Sequence, residues 1–175
     1  MPAVSYFAYG SNMLTERLRA RVSSARPIGA AWLPGMALGF AKRGRDLSGK
    51  AMIVPGMETT HPLHGVLFEI DAGEIAVLDR FEGPGYARET LRVTAGGASR
   101  AAQVYVPRPG HLDPALRPFD WYLDLILAGA RQHALPPTWI AALAATARLP
   151  DPVRDRPTRA EALRLLAGTT GATGR

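Results

Sequence analysis

From residue 30 to residue 106 the chain is built of short apolar runs, each stopped quickly by glycine or proline; Pro34-Gly35, Gly83-Pro84-Gly85 and Gly96-Gly97 are such breaks. A sheet of short strands tolerates this punctuation and a long helix does not. Proline removes an amide donor and fixes φ, and glycine has the most backbone freedom to lose. Residues 4–8, 51–54, 63–70, 87–94 and 101–106 read as strands, and 30–40 as two more split at Pro34-Gly35. Val66, Phe68 and Ile70 alternate with period two. Gly96-Gly97 joins the last two strands as a hairpin. Helical periodicity occupies 13–21, where Arg17, Arg19 and Arg21 are expected mostly outward, and 71–81, opened by the capping box Asp71-Ala72-Gly73-Glu74. It returns at 121–133, 138–148 and 158–167. Strands in the middle with helices inserted and then clustered at the end predict an α+β fold: a small mixed or antiparallel β-barrel flanked by helices, not an alternating parallel sheet.

The 175 residues suffice for one domain with its own core, expected over 1–167, with the Gly/Thr-rich residues 168–175 as a disordered tail. A composition of 47% hydrophobic and 21% charged residues is that of a globular protein. There is no cysteine, which excludes disulfides, thiolate nucleophiles and thiolate metal ligands. No apolar run approaches the roughly 20 residues that span a bilayer, and residues 1–5 lack the charged and apolar regions of a signal peptide. A cytoplasmic protein without a membrane partner is expected. The net charge of +6 is scattered, and its densest cluster, Lys42-Arg43-Gly44-Arg45, is followed by Asp46. A solvated loop explains it, and no nucleic-acid partner is expected. His61 and His64 flank Pro62 in an extended segment, where they fall on opposite faces, so no metal site is expected. Ser11 lacks the G-x-S-x-G setting of a hydrolase nucleophile.

Two features invite chemistry. Tyr6-Phe7-Ala8-Tyr9 reads as a buried strand that breaks at Gly10-Ser11-Asn12 and runs into a helix. Such a bend exposes unpaired backbone N–H groups near a positive helix end, where an anion binds well. Gly10 lets the backbone approach a ligand; Ser11 or Asn12 can cap the helix or touch the ligand. An ordinary strand–turn–helix junction explains the same residues. The second feature is Leu78-Asp79-Arg80-Phe81-Glu82-Gly83, with Tyr86 close behind. A carboxylate after an apolar helix and beside a Gly-Pro-Gly turn suits proton transfer if it is partly buried, and is a solvated helix end if it is not.

Taken together, these segments resemble the γ-glutamylcyclotransferase family. The resemblance rests on Tyr9-Gly10-Ser11-Asn12 after the first strand, on Leu78-Asp79-x-x-Glu82-Gly83 with Tyr86, and on Tyr122-Leu123-Asp124-Leu125-Ile126-Leu127-Ala128-Gly129-Ala130 continued by Leu135-Pro136 and Trp139-Ile140. Residues 49–55 and 64–70 are similar to the family's central strands, so the likeness spans roughly residues 5–145. It implies a small barrel flanked by helices, with the bend and the glutamate meeting in one cavity. It implies that Tyr6, Phe7, Ala8, Tyr9, Gly10, Ser11 and Asn12 hold a γ-glutamyl substrate largely through backbone, that Glu82 is the catalytic residue, and that Tyr86 and Tyr122 line the pocket. The segment from Glu82 to Tyr86 looks shorter than in some relatives. The expected protein is a monomer or homodimer.

The chemistry needs no cofactor or metal. The α-amine of a γ-glutamyl amide reaches its own γ-carbonyl and closes a five-membered lactam, 5-oxoproline, releasing an amino acid or amine. One carboxylate between the two nitrogens serves first as base and then as acid. The bend would hold a substrate carboxylate or polarise the carbonyl oxygen. Relatives act on γ-glutamyl amines, on glutathione or on a γ-glutamyl-protected biosynthetic intermediate, and the YGSN tetrapeptide leans away from the glutathione and γ-glutamylamine branches. A non-catalytic module that binds γ-glutamyl or amino-acid ligands is the alternative of a different class.

Overall fold

The computed structural model describes residues 2–56 and 62–170. Its strands are β1 (Ala3–Ala8), β2 (Arg26–Leu33), β3 (Met36–Arg43), β4 (Gly49–Pro55), β5 (Leu63–Asp71), β6 (Tyr86–Ala95) and β7 (Ala98–Pro107). The α-helices are α1 (Thr15–Arg19), α2 (Ile75–Glu82), α3 (Asp120–Gln132), α4 (Pro137–Ala144) and α5 (Pro157–Thr170). The strands order as β1-β5-β2-β6-β7, and β7 returns to β1 to close a barrel; β3 and β4 form a separate two-stranded sheet. The fold is therefore α+β with a mixed barrel. Neighbours in the barrel are antiparallel except β1 and β7, which close it in parallel at Tyr6 opposite Gln103.

The strand punctuation works as the residue types dictate. Pro34-Gly35 turns β2 into β3, with Gly35 at φ 67°. Gly96 and Gly97 join β6 to β7 with φ of 57° and 76°, the left-handed pair that a two-residue hairpin requires. Across β1 and β5, Phe7 lies opposite Leu67 and Tyr6 opposite Phe68, and all four are buried. Successive residues point to opposite faces, so both faces of this strand pair are covered. The strict alternation expected for β5 understates its burial for that reason.

Two local expectations need correction. Asp71 makes no side-chain cap, and Glu74 does not reach back to it. Glu74 instead accepts from the Ser24 amide at 2.9 Å and from the Ser23 and Ser24 hydroxyls, while the Ser24 hydroxyl accepts from the Asp71 amide at 2.9 Å. A tertiary partner outcompetes the local one. At the C-terminus α5 continues through Thr170, past the point where order was expected to end; the Thr169 hydroxyl donates to the Leu166 carbonyl at 2.7 Å and supports the last turn. Residues 171–175 lie outside the described residues, as does His61 of the histidine pair. Among the described residues no helix is long and apolar enough to cross a membrane.

The helix that matters most for the site is α3. Trp121, Leu123, Leu125, Ile126 and Leu127 are buried along it. It is tied to residues 150–157 by Asp151, whose carboxylate accepts from Trp121 Nε1 at 2.9 Å and from Arg156 at 2.7 and 3.0 Å. Those bonds, the Arg156 guanidinium first, hold the Asp151 carboxyl down at about 2. The other end of α3 presses on the bend after β1. The Thr15 amide donates to Gln132 Oε1 at 2.9 Å, and Thr15 Oγ1 lies 3.0 Å from His133 Nε2. This approach is possible because Gly129 has no side chain: a Cβ there would lie 2.5 Å from the Leu14 nitrogen and 2.6 Å from the Met13 carbonyl carbon.

Gly129→Ala tests that contact. Alanine raises helix propensity by about 1 kcal/mol. Overpacking against backbone that cannot swing aside costs about 1–3 kcal/mol, so the steric cost is expected to win. The urea midpoint of the variant is expected below that of the parent, and an equal or higher midpoint would show that the bend yields freely.

Candidate active site

β1 ends at Ala8, and the chain then makes a single 3₁₀ turn, Ser11–Met13, before α1. The turn closes through the Met13 amide on the Gly10 carbonyl at 3.0 Å. The helix expected over 13–21 is thus only five residues long, and neither Ser11 nor Asn12 caps it. So short a helix has little dipole, and the dipole argument for an anion site at this bend does not hold.

Side chains take over. Asn12 Nδ2 donates to Glu82 Oε1 at 2.8 Å and to the Tyr6 hydroxyl at 3.1 Å. Asn12 Oδ1 accepts from Arg21 Nη1 at 3.0 Å, and the same Nη1 lies 3.5 Å from Glu82 Oε1. Asn12, Arg21 and Glu82 therefore close a triangle between the bend and the end of α2. Ser11 Oγ accepts from Arg17 Nε at 3.1 Å. Arg17 and Arg21 thus point inward, against the outward expectation. With α1 ending at Arg19, Arg21 belongs to the following turn and escapes the helical phase on which the expectation rested.

Glu82 is the last residue of α2, and Gly83 leaves the helix at φ 75°. The helix is clamped to the hairpin by Asp79 Oδ1, which accepts from the Tyr105 hydroxyl at 2.8 Å and from Arg88 Nε at 2.9 Å. Arg88 serves this clamp on the outer face. The clamp aims Glu82 into a cavity of about 700 Å³ whose lining includes Tyr6, Tyr9, Gly10, Ser11, Asn12, Tyr86 and Tyr122. Phe7 and Ala8 do not line it. Their side chains are in the core, and only their backbone is left for any ligand role.

All five tyrosines of the chain face this cavity. Tyr122 and Tyr86 grip one residue of β4: the Ala51 amide donates to the Tyr122 hydroxyl at 3.0 Å, and the Tyr86 hydroxyl donates to the Ala51 carbonyl at 2.7 Å. Tyr9 donates to the Tyr105 carbonyl, and Tyr105 stands edge-on to Tyr6 at 5.8 Å. Gly10 is explained by this crowding. A Cβ there would lie 3.1 Å from Ala51 Cβ and 3.4 Å from the Tyr122 hydroxyl. Burial raises the pKa of every one of these phenols, that of Tyr122 to about 12, so all are neutral hydrogen-bonding groups at neutral pH.

Burial also raises Glu82 above the ordinary glutamate range, because its carboxylate is taken from water into the tyrosine-lined wall. Arg21, the Asn12 amide, Arg17 and Lys42 pull the other way. The side chain remains 15% exposed, so the carboxylate is sheltered yet open to the cavity. Such a group exchanges protons near neutrality more readily than a solvated glutamate.

Arg21, Tyr105, Lys42 and Lys50 carry parts of this site that the sequence pattern did not single out, and Asp79, read there only as a motif residue, supplies the clamp. Of the residues not singled out, only Tyr105 left a signal, a phenol between two valines whose hydroxyl needs a partner when buried. Lys42 and Lys50 lay in or beside a segment that read as a solvated loop. Lys42 is buried with its ammonium 4.4 Å from the Tyr86 ring centroid, and Lys50 lies 4.5 Å from that of Tyr122.

A family model described as gamma-glutamyl cyclotransferase, AIG2-like, matches residues 6–123. No curated protein matches the chain at a significant level. Among solved structures, one described as a gamma-glutamyl cyclotransferase aligns with a TM-score of 0.82 at 23% identity, over 93% of this chain and 99% of its own. An uncharacterized protein from Homo sapiens aligns at 0.81 and 24% identity, over 94% and 99%. YkqA from Bacillus subtilis aligns at 0.64 and 20% identity, over 85% of this chain and 57% of its own. At these identities the likeness is one of fold.

Arg21→Gln removes the cation that most opposes burial of the Glu82 carboxylate. The pKa of Glu82, followed by carboxyl-carbon NMR titration, is expected to rise in the variant. A fall would show that the guanidinium does not stabilise the ionised form.

Proposed function

Because the chain belongs to the gamma-glutamyl cyclotransferase, AIG2-like family, we propose that it converts a γ-glutamyl amide into 5-oxoproline and the free amine, with Glu82 carrying the proton. The observation that bears most weight is the Asn12–Glu82 hydrogen bond, which sets a largely sheltered carboxylate beside the bend and open to a cavity large enough for a dipeptide.

The steps balance without water or an external acid. The α-ammonium of the substrate gives a proton to the Glu82 carboxylate. The free amine attacks the γ-carbonyl carbon, and the carbonyl electrons move onto oxygen. The attacking nitrogen then carries one proton too many: Glu82 gives its first proton to the leaving nitrogen, the carbonyl reforms as the bond to that nitrogen breaks, and the freed carboxylate takes the surplus proton from the ring nitrogen and passes it to the departing amine, which leaves as an ammonium. Holding the chain folded supplies the entropic part of the acceleration. The neutral tyrosine wall limits competing water, and Tyr6, Tyr9 and the backbone of Gly10-Ser11-Asn12 are the groups we assign to binding the glutamyl unit. The leaving group is an amino acid or amine. Glu82 must be ionised to begin, so the acid limb of the pH–rate profile is expected above the ordinary glutamate range. A limb at or below that range would remove Glu82 from the role.

Glu82→Gln keeps the side-chain size and removes the base. Release of 5-oxoproline from γ-glutamyl dipeptides is expected to fall by about 10²–10⁴-fold; near-parental turnover would refute the assignment. Thermal stability provides an independent reading. With the folded pKa above the unfolded one, the native state holds more protons through that interval, so Glu82 loses stability for the fold as pH rises through it. Glutamine mimics the protonated form, and the variant is expected to melt no lower than the parent at neutral pH. Binding heat without any product, from the parent protein, would favour a ligand-binding module instead.

A further inference from the structure

The lining of the cavity holds seven cationic side chains, counting Lys and Arg, against three carboxylates. Four of the cations are satisfied within the protein. Arg21 is near Glu82, Arg43 is bonded to Asp113 at 3.2 Å, Lys50 to Asp46 at 2.7 Å and Arg156 to Asp151 at 2.7 Å. Three are not. Arg17 is buried, its Nη1 is enclosed with no hydrogen-bond partner, and its one ion pair, to the 39% exposed Glu161, is stretched to 3.9 Å. Lys42 is buried over the Tyr86 ring, and among the described residues it forms no ion pair within 4 Å. Arg45 arches over the turn after Glu82, its Nη2 3.3 Å from where a Gly83 Cβ would stand, also without an ion-pair partner among the described residues.

A guanidinium nitrogen enclosed without an acceptor is costly, and because the Arg17 side chain lines the cavity, an anion bound there lowers that cost through its charge. Burial first, and Arg21 second, bring Arg17 down to about 10, so it remains a cation at neutral pH. A simple γ-glutamyl amino acid brings one ammonium and two carboxylates. Its net charge of −1 offsets only half of the +2 that the seven cations keep once Glu82, Asp113, Asp46, Asp151 and Glu161 are set against them. A γ-glutamyl amide of a dicarboxylic amino acid brings one ammonium and three carboxylates, a net charge of −2, which offsets all of it.

We propose that the cavity selects γ-glutamyl substrates whose leaving group is itself an acidic amino acid, with Arg17, Lys42 and Arg45 as the binding cations. This rests on the cyclotransferase activity proposed above. A neutral isostere isolates the charge: γ-Glu-Gln differs from γ-Glu-Glu at one terminal group. Each desolvated charge pair gained by the acidic substrate and lost by the amide is expected to give it an advantage in kcat/KM of about tenfold at low salt, shrinking as ionic strength rises.

The test measures 5-oxoproline release from γ-Glu-Glu, γ-Glu-Gln and γ-Glu-Ala by the parent protein, Arg17→Met, Lys42→Met and Arg45→Met, at low and high salt. The parent is expected to prefer γ-Glu-Glu, and the preference is expected to move toward one in Lys42→Met or Arg45→Met. These two variants keep the test alive if buried Arg17→Met fails to fold. A ratio of γ-Glu-Glu to γ-Glu-Gln at or below one in the parent overturns the acidic selectivity and leaves the cyclotransferase activity standing. So does a ratio unmoved in every folded variant as far as these cations are concerned. No product from any dipeptide overturns the activity and the selectivity together.

Discussion

The contact between Asn12 and Glu82 is the constraint on which the site depends. It joins residues 70 positions apart, one on a turn held by α3 and one at the last residue of a helix held by the hairpin. A hydrogen bond to an ionised group contributes about 1.5–3 kcal/mol when it is well made, and it is well made here because both ends are fixed from outside. Gly129 lets α3 lie on the backbone of Met13 and Leu14, and Asp79 ties α2 to Tyr105 and Arg88. Were either support to slacken by an ångström, the carboxylate would lose its donor before the barrel lost its core.

The surroundings of Glu82 run against the usual economy of folding. A carboxylate is moved out of water, its pKa is raised, and the cations around it compensate only in part. The barrel bears this because the wall is made of phenols. Each buries a large apolar ring and anchors its hydroxyl locally, as Tyr86 and Tyr122 do on the two backbone groups of Ala51. The same wall is uncharged at neutral pH, so the charges that remain in the cavity are those of the cations and of Glu82, Asp46 and Glu161. Local instability and chemical usefulness are here one property of one side chain.

Much of this was legible in the residues. Gly and Pro punctuation predicts the short strands and their turns, and Pro34-Gly35 and Gly96-Gly97 turn where such pairs must. The apolar stripe from Leu123 to Ala130 predicts α3. Glu82, flanked by Phe81 and a Gly-Pro-Gly turn, stands out as a carboxylate poised to be sheltered. Arg21 departs from the outward expectation because α1 stops at Arg19, and Arg17, inside α1, because nothing in the helical pattern reports that its polar face turns to the cavity. Glu74 was misassigned because a local capping pattern cannot report that Ser24, on another segment, offers better donors. Lys42 reads as solvated because a charged cluster in sequence carries no sign that the Tyr86 ring will cover it.

What the chain determined by itself is what depends on neighbours along it: element type, turn positions, the absence of thiol chemistry, and which residue types were available for proton transfer. What only the tertiary structure decided is which of those groups share one cavity and which remain unmatched in charge. Backbone dihedrals and side-chain periodicity are local properties. Desolvation and pairing of Glu82, Arg17 and Lys42 depend on segments that meet only after the barrel has closed, and no spacing in the sequence encodes that distance.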